Sequence, residues 1–325
     1  MKLPRREFLH LAVVAAALSA VSCLAWAQAY PARPVRIIVA TGAAGAPDIL
    51  ARLVGQWLSD RLGQQFVTEN RPGGGNNIGA EAVVRATPDG YTLLLVDPSA
   101  SINATLYDKL NFNFIRDIAT VAGIVRMPLV MVVHPSLPAT TVPELIAYAK
   151  ANPGKINMAS PGIGTPGHVA GEYFKMMTGT EMVHVPYRGG GPALTDLIGG
   201  QVQVFFPSTS LSIEQIRAGK LRALAVTAAA RWEGLPDIPT VGEFVPGYEA
   251  SFVLGIGVPK RTPVDIIDKL NREINAALAD PKIKARLADL GGTPLAGSPA
   301  EFAQLIADET EKWGKVIRFA GIKPE

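Results

Sequence analysis

The stretch Ser160-Pro161-Gly162-Ile163-Gly164-Thr165-Pro166-Gly167-His168 decides how this chain is expected to fold. It follows a strand-like run at 155–159 and precedes a helical pattern at 169–177. Its glycines let a ligand approach the backbone, and Thr165 and Pro166 suit the N-cap and the first turn of a helix. Free N–H groups and the positive end of a helix dipole attract anions at such a position. The stretch therefore predicts an anion-binding turn.

A second turn of the same design lies much earlier in the chain. Residues 35–39 have the pattern of a buried strand, and 42–46 form a glycine-alanine turn. Pro47 and Asp48 then open a helix whose apolar residues recur three and four positions apart. Two such sites predict two similar α/β lobes, each of which presents a helix N-terminus to the same ligand.

The first 29 residues have the pattern of an export signal. A basic start precedes an apolar run at 11–24, which is too short for a permanent membrane span. Small residues allow cleavage after Ala27 or Ala29. The adjacent arginines at positions 5 and 6 also fit a twin-arginine signal, which exports folded proteins. The ordinary secretory route and the twin-arginine route both stay open.

Composition narrows the function classes. The 325 residues suffice for two domains. Cys23, the only cysteine, is lost with the signal, so no disulfide or thiol chemistry is expected. Loss of the signal also lowers the formal net charge from +3 to +1, because three cations and one anion leave, and this argues against nucleic acid as a partner. No later run reaches the roughly 20 apolar residues of a membrane span.

Two patterns in the sequence resemble parts of enzyme sites. Gly162 to Gly167 fits the dinucleotide fingerprint G-x-G-x-x-G, but Glu181 stands before the following strand and not at its end, where the ribose contact belongs. An exported protein also has little access to nicotinamide cofactors. His168 and Glu172 are one helical turn apart, yet nothing else of ligand type accompanies them. We therefore expect no catalytic residue, no metal and no cofactor, and keep a dinucleotide-using enzyme as an alternative.

Five stretches together resemble one family. They are residues 70–79, 162–166, 185–189, 218–227 and 235–241. The chain is similar in these motifs, and in their order, to the Bug, or TctC-like, substrate-binding proteins of tripartite tricarboxylate transporters. The resemblance implies an α/β periplasmic binding protein of the hinged Venus-flytrap type (type II), in which each lobe is a sheet flanked by helices. It also implies a monomer that binds a small carboxylate and delivers it to membrane permease subunits.

Apolar segments at 121–133 and 250–258 are long enough to cross between the lobes. The expected organisation is therefore a signal peptide at 1–29, lobe 1 at 30–128 and again at 253–325, and lobe 2 at 129–252. The residue patterns and the resemblance together give the candidate ligand-binding residues. These are Thr41, Gly45, Ala46, Asp48, Ser99, Ser101, Gly162, Ile163, Gly164, Thr165, His168, Tyr187, Arg188 and Ser208.

Three departures from the family pattern leave the ligand open. Many members have Pro-Phe where this chain has Ala40-Thr41, a common tryptophan aligns with Val253, and a frequent Asp or Asn aligns with Pro207. These changes remove expected contacts with the far end of a ligand. A component that presents a ligand to a membrane sensor, instead of to a transporter, also fits the same motifs.

The export pattern gives a first prediction. Cleavage after Ala27 or Ala29 leaves a chain that begins at Gln28 or Tyr30, because small residues precede both bonds. Mass spectrometry of the protein purified from the periplasm checks this. An intact Met1, or a lipid attached to Cys23, contradicts it.

Overall fold

A computed structural model describes residues 30–324, so the expected signal peptide lies outside the described residues. The strands are β1 (Val35–Val39), β2 (Phe66–Asn70), β3 (Thr92–Val96), β4 (Ile118–Met127), β5 (Val130–Val133), β6 (Asn157–Ser160), β7 (Val183–Pro186), β8 (Val204–Phe205), β9 (Arg222–Val226), β10 (Phe252–Pro259) and β11 (Thr293–Pro294). The helices are α1 (Ala46–Leu62), α2 (Asn77–Val84), α3 (Ser99–Leu106), α4 (Phe114–Asp117), α5 (Val142–Ala151), α6 (Pro166–Thr178), α7 (Gly190–Ile198), α8 (Thr209–Arg217), α9 (Val264–Ala279), α10 (Pro281–Asp289) and α11 (Pro299–Ala320), with a 3-10 turn at Val241–Glu243.

The strands form two mixed sheets. The first has the order β11-β4-β10-β3-β1-β2, and the second has the order β7-β6-β8-β5-β9. In the first sheet β1 runs parallel to β2 and β3, whereas β10 runs antiparallel to β3 and β4. In the second sheet β6 runs parallel to β7 and β8, and β5 runs antiparallel to β8 and β9. The predicted two-lobed α/β fold is confirmed.

The central strands β3 and β5 are covered on both faces, which explains their uninterrupted apolar residues. All five residues of β3 are buried. In β5 the residues alternate between two apolar clusters, Met131 and Val133 on one face and Val130 and Val132 on the other. This alternation follows from the period of two in a strand. Each sheet therefore needs helices on both faces, and the chain supplies them between the strands.

The chain passes between the sheets twice. The predicted crossing at 121–133 is two strands, β4 in the first sheet and β5 in the second, interrupted at Pro128 and Leu129. A proline cannot donate to a strand ladder, so the break falls there. The return crossing leaves β9 at Val226 and enters the first sheet at β10. The lobe boundaries near 128 and 252 remain a proposal.

A buried threonine joins the two crossings. The Thr227 hydroxyl accepts a hydrogen bond from the Leu129 N–H at 2.8 Å, and it lies within hydrogen-bond distance of the carbonyls of Leu129 and Ala250, at 3.1 and 3.3 Å. The Ala250 N–H donates to the Thr227 carbonyl at 2.9 Å. Thr227 has no exposed surface. These bonds fix the two connecting segments to each other.

The last helix makes a third connection. α11 packs on α3 of the first lobe and also on α6 of the second. Its Trp313 belongs to the same buried cluster as Phe174 of α6, with the ring of Tyr173 6.0 Å away edge-on. The sequence assigns the C-terminal helices to the first lobe, but α11 contacts both lobes. The apolar stripe of α11 is long enough to reach both.

The structure predicts a measurable cost for removing the Thr227 hydroxyl. Thr227→Val keeps the side-chain shape but leaves the buried Leu129 N–H without its acceptor, which typically costs about 1–3 kcal/mol of unfolding free energy. Thr195→Val is the control, because the Thr195 hydroxyl is exposed and bonds only the Gly191 carbonyl of its own helix. Urea unfolding of both variants compares them. Equal losses in the two variants would show that the hydroxyl does not hold the crossings together.

Candidate functional site

A cavity of about 280 Å³ lies between the two lobes. Residues from both predicted anion turns, and from α3 and β10, line it. The first lobe contributes Thr41, Pro47, Gly75, Asn76, Asp97, Pro98, Ser99, Ile102, Asn103, Leu106, Tyr107, Phe252 and Leu254, and the second contributes Ile163, Gly164, Thr165 and Pro166. We call this the interlobe cavity. It is the place where the two turns can contact one ligand.

A second cavity of about 250 Å³ lies within the first lobe, on the other side of α3. It shares Asp97, Ser99, Asn103 and Tyr107 with the interlobe cavity. Neither anion turn lines it, so we take the interlobe cavity as the candidate site.

The first turn is held by a carboxylate. α1 begins at Ala46, with Gly45 at its N-cap and Pro47 in its first turn. The Asp48 carboxylate accepts hydrogen bonds from the Ala44 N–H at 2.9 Å and from Arg52 Nε at 3.1 Å. Hydrogen bonding to Arg52 lowers the pKa of Asp48. Asp48 is therefore a buried anion that stabilises the turn from behind, while Pro47 faces the cavity.

The second turn comes close to the opposite lobe. Gly164 has φ +72°, and a Cβ at this position would overlap Cδ2 of Leu106 in α3. Thr165 occupies the N-cap of α6, as predicted, but among the described residues no side chain caps this helix. Its hydroxyl instead donates to the Gly162 carbonyl at 2.7 Å. The uncapped N-terminus of α6 leaves its positive end directed at the cavity.

Two stacked histidines support the second turn. The Gly164 N–H donates to Nδ1 of His168 at 3.1 Å, and the ring of His168 stacks on that of His184 with centroids 3.6 Å apart. Nε2 of His184 lies 2.6 Å from Oγ of Ser160, which accepts from the Gly162 N–H at 3.2 Å. The rings thus connect both glycines of the turn to the protein interior.

Burial keeps these histidines neutral. Burial lowers the pKa of His168 to about 3, with smaller contributions from the neighbouring His184 and Lys175. Burial also lowers the pKa of His184 to about 4, and Lys175 adds to the effect. A neutral His168 can accept from Gly164, whereas a protonated ring cannot. The buried Glu172 carboxylate, one turn after His168, pairs with Lys175 at 2.9 Å. Within residues 30–324 there is no group of three or more side chains that could hold a metal ion.

The structure brings some predicted site residues to the cavity and leaves others away from it. Thr41, Ser99, Ile163, Gly164 and Thr165 line the interlobe cavity, and Gly45, Ala46, Asp48 and Gly162 are within two residues of lining positions in the same turns. Ser101, His168, Tyr187, Arg188 and Ser208 do not line it. That any of these fourteen residues binds a ligand stays a prediction.

The residues away from the cavity have other contacts. The Tyr187 hydroxyl donates to Asp196 at 2.7 Å, and burial and Asp196 raise the pKa of Tyr187 to about 12. Arg188 is exposed, and Ser101 is buried within α3. Ser208 stands at the N-cap of α8. Their sequence positions after strands suggested ligand contacts, but side-chain direction takes them elsewhere.

Sequence reasoning missed several lining residues. Asn76, Asp97, Asn103, Tyr107 and Phe252 all contribute to the cavity. The glycine-asparagine loop at 70–79 was a signal for Asn76, and the end of a buried strand was one for Asp97. The family's common tryptophan aligns with Val253, but Val253 packs in an apolar cluster on the other side of β10. Its neighbour Phe252 lines the cavity and provides an aromatic wall there.

One free polar atom points to a ligand contact. The Thr41 Oγ1 is buried and has no hydrogen-bond partner in the described part of the chain. A buried hydroxyl without a partner is costly. Since Thr41 lines the interlobe cavity, a polar ligand atom can satisfy it.

The lowered histidine pKa values predict an acid-sensitive turn. Unfolded histidine takes up a proton below pH about 6.5, whereas folded His168 and His184 stay neutral down to about 3 and 4, so the unfolded state binds more protons and stability falls as pH falls. Each histidine lowers the free energy of unfolding by at most about 1.4 kcal/mol for each unit by which the pH falls. His168→Asn retains an acceptor for Gly164 and should lose less unfolding free energy between pH 7 and pH 5 than the parent.

The control is His134→Asn, which removes a histidine far from the turn that contacts Ser136. Urea unfolding at both pH values measures the difference. A His168→Asn slope as steep as that of the parent would contradict the assignment of the acid sensitivity to this ring.

The chain matches known proteins over nearly its whole length. The model of the tripartite tricarboxylate transporter family receptor, TctC, matches residues 50–322. Protein BugT of Bordetella pertussis is 37% identical over 300 residues, which are 91% of this chain and 92% of that protein. A Rhodopseudomonas palustris protein solved with adipate is 36% identical, with a TM-score of 0.80 and coverage of 91% of this chain and 100% of that one.

MatC of Rhodopseudomonas palustris, solved with bound malate, is 29% identical, with a TM-score of 0.75 and coverage of 89% of this chain and 100% of that one. The sequence matches, the fold and the two helix N-termini that line one cavity all indicate the same family. The chain belongs to the TctC family, the receptors of tripartite tricarboxylate transporters, which includes the Bug proteins.

Proposed function

We propose that this chain is a periplasmic receptor that captures a small carboxylate between its lobes and delivers it to the membrane permease subunits of a tripartite tricarboxylate-type transporter. One observation carries the proposal. The N-terminal turns of α1 and α6, one from each lobe, line the same cavity. The ligands of two relatives, adipate and malate, are small carboxylates and support it.

The cavity suits a carboxylate with a short carbon chain. Each helix N-terminus carries roughly half a positive charge and N–H groups without partners in the helix, and both favour a carboxylate. Ile102, Leu106 and Phe252 provide apolar walls for carbon atoms. A volume of about 280 Å³ is below the range of drug-sized pockets, so the ligand is a small molecule.

Binding across two lobes couples the ligand to their relative position. A carboxylate that contacts both turns gains its second set of contacts only when the lobes are together, so it shifts the population towards the closed form. We assign the hinge to the two crossings, which the bonds of Thr227 join to each other. A permease can then distinguish loaded from empty receptor by this closure.

The location and assembly follow the same proposal. The signal at residues 1–29, cleaved near Ala27 or Ala29, would deliver a monomer to the periplasm. Between residues 30 and 324, no helix is long and apolar enough to cross a bilayer. Glu181, the acid required by the dinucleotide alternative, is exposed and stands before β7, so no observation favours that alternative.

Replacing Gly164 tests whether the second turn grips the ligand. A Cβ at Gly164 would displace the tip of Leu106, and φ +72° is strained for valine, so Gly164→Val should crowd the approach of the turn to a carboxylate and weaken binding at least tenfold, or about 1.4 kcal/mol. Thr165→Ala removes only the hydroxyl bond to Gly162 and should reduce the binding free energy by about 1 kcal/mol. A thermal-shift screen of mono-, di- and tricarboxylates finds the ligand, and calorimetric titration measures each variant.

Gly219→Val is the matched control. Gly219 has nearly the same φ, +68°, but no atom lies within 4 Å of its ideal Cβ, so it imposes the same backbone strain without touching the other lobe. It should bind as the parent does. If folded Gly164→Val also binds as tightly as the parent, the turn does not grip a ligand and the proposal fails.

A further inference from the structure

A buried carboxylate faces the interlobe cavity. Asp97 follows β3 directly, is 5% exposed and lines the cavity. One carboxylate oxygen accepts the Ser99 N–H at 2.8 Å, and the other accepts Nδ2 of Asn76 at 3.2 Å. Both donors are neutral. The acid therefore lies in a cavity that otherwise attracts carboxylates.

Asp97 has no cationic partner among residues 30–324. A carboxylate offers about four acceptor positions, and the bonds from the Ser99 backbone and side chain and from Asn76 leave one free. A buried charge without a partner of opposite sign is costly. Burial accordingly raises the pKa of Asp97, and the bonds from Ser99 and Asn76 oppose the shift. The side chain is suited to a further donor.

The second cavity does not supply that donor. It lies on the other side of Asp97 and is lined by Arg116, but the Arg116 guanidinium is engaged by the Asp117 carboxylate at 2.6 Å. The lining of the interlobe cavity contains no lysine, arginine or histidine within the described residues. A cationic partner for Asp97 must therefore come from whatever occupies the cavity.

We propose that Asp97 selects, among small carboxylates, those that carry a hydrogen-bond donor, an ammonium or a hydroxyl group, on the part of the ligand that meets the end of β3. This inference rests on the proposed function. A second carboxylate at that position would place two anions in contact, and a bare methylene would leave Asp97 unpaired. A site built around a buried polar group rejects an analogue that lacks the matching group.

Three acids with the same four-carbon diacid skeleton isolate the effect. Succinate, malate and aspartate differ only in having hydrogen, hydroxyl or ammonium at one carbon. Calorimetric titration of the parent should show malate or aspartate binding at least about tenfold tighter than succinate. The five-carbon series of glutarate, 2-hydroxyglutarate and glutamate repeats the comparison if the site prefers a longer chain.

Asp97→Asn removes the charge and keeps the fold. The asparagine oxygen can still accept from Ser99, and the Asn76 amide can rotate to present its oxygen to the new NH₂ group. The variant should lose the preference, so that its affinities for the three acids agree within about threefold. Asp108→Asn is the matched control, because Asp108 is an exposed acid at the end of α3 that lines only the second cavity. It should keep the preference of the parent.

The outcomes separate the two proposals. A parent that binds succinate as tightly as malate and aspartate, or a ranking that Asp97→Asn leaves unchanged, overturns the selection by Asp97 while the receptor function stands. A parent that binds none of the acids, including the full carboxylate screen, overturns the receptor function and this inference with it. An affinity for aspartate that exceeds the affinity for malate identifies the ligand's preferred donor group as a cation.

Discussion

The shape of the interlobe cavity depends on the close approach of Gly164 in one lobe to Leu106 in the other. A glycine suits this position because φ is +72° and because a Cβ would displace Cδ2 of Leu106. The bare backbone lets the turn before α6 form one wall of a cavity whose other wall is α3. The shape of the candidate site therefore depends on a missing side chain as much as on those present.

The two anion turns are stabilised in different ways. In the first lobe a charged pair, Asp48 with Arg52, holds the turn through the Ala44 N–H. In the second lobe the supports are neutral, with His168 accepting from Gly164 and stacking on His184. Both arrangements place the support behind the turn and leave the helix N-terminus to the cavity. A protonated His168 could not accept from the Gly164 N–H, so burial, which lowers the pKa of His168 and keeps the ring neutral, suits this position.

The sequence predicted those features that are encoded locally. Glycines before a helical pattern, as at 162–167, and uninterrupted apolar strands, as at 92–96, indicated the two lobes and the two turns, and both are found. Side-chain direction was not predictable. The ring of His168 bonds its own turn, and the Tyr187 hydroxyl bonds Asp196. The side chain that lines the cavity from β10 is Phe252 and not the neighbouring Val253. A shift of one residue in a strand reverses the face, and only the tertiary structure fixes it.

The contact of α11 with both lobes is compatible with the proposed closure because of where it lies. Glu249, which precedes β10, pairs with Arg126 of β4 at 2.7 Å, and its carbonyl accepts from Lys312 of α11 at 3.3 Å. These residues lie beside the two crossings that Thr227 joins through Leu129 and Ala250. Rotation about a hinge displaces nearby atoms little and distant atoms much. The packing of Trp313 near the crossings can therefore persist while the turn at Gly164 moves away from Leu106, so α11 limits sliding of the lobes without blocking their opening.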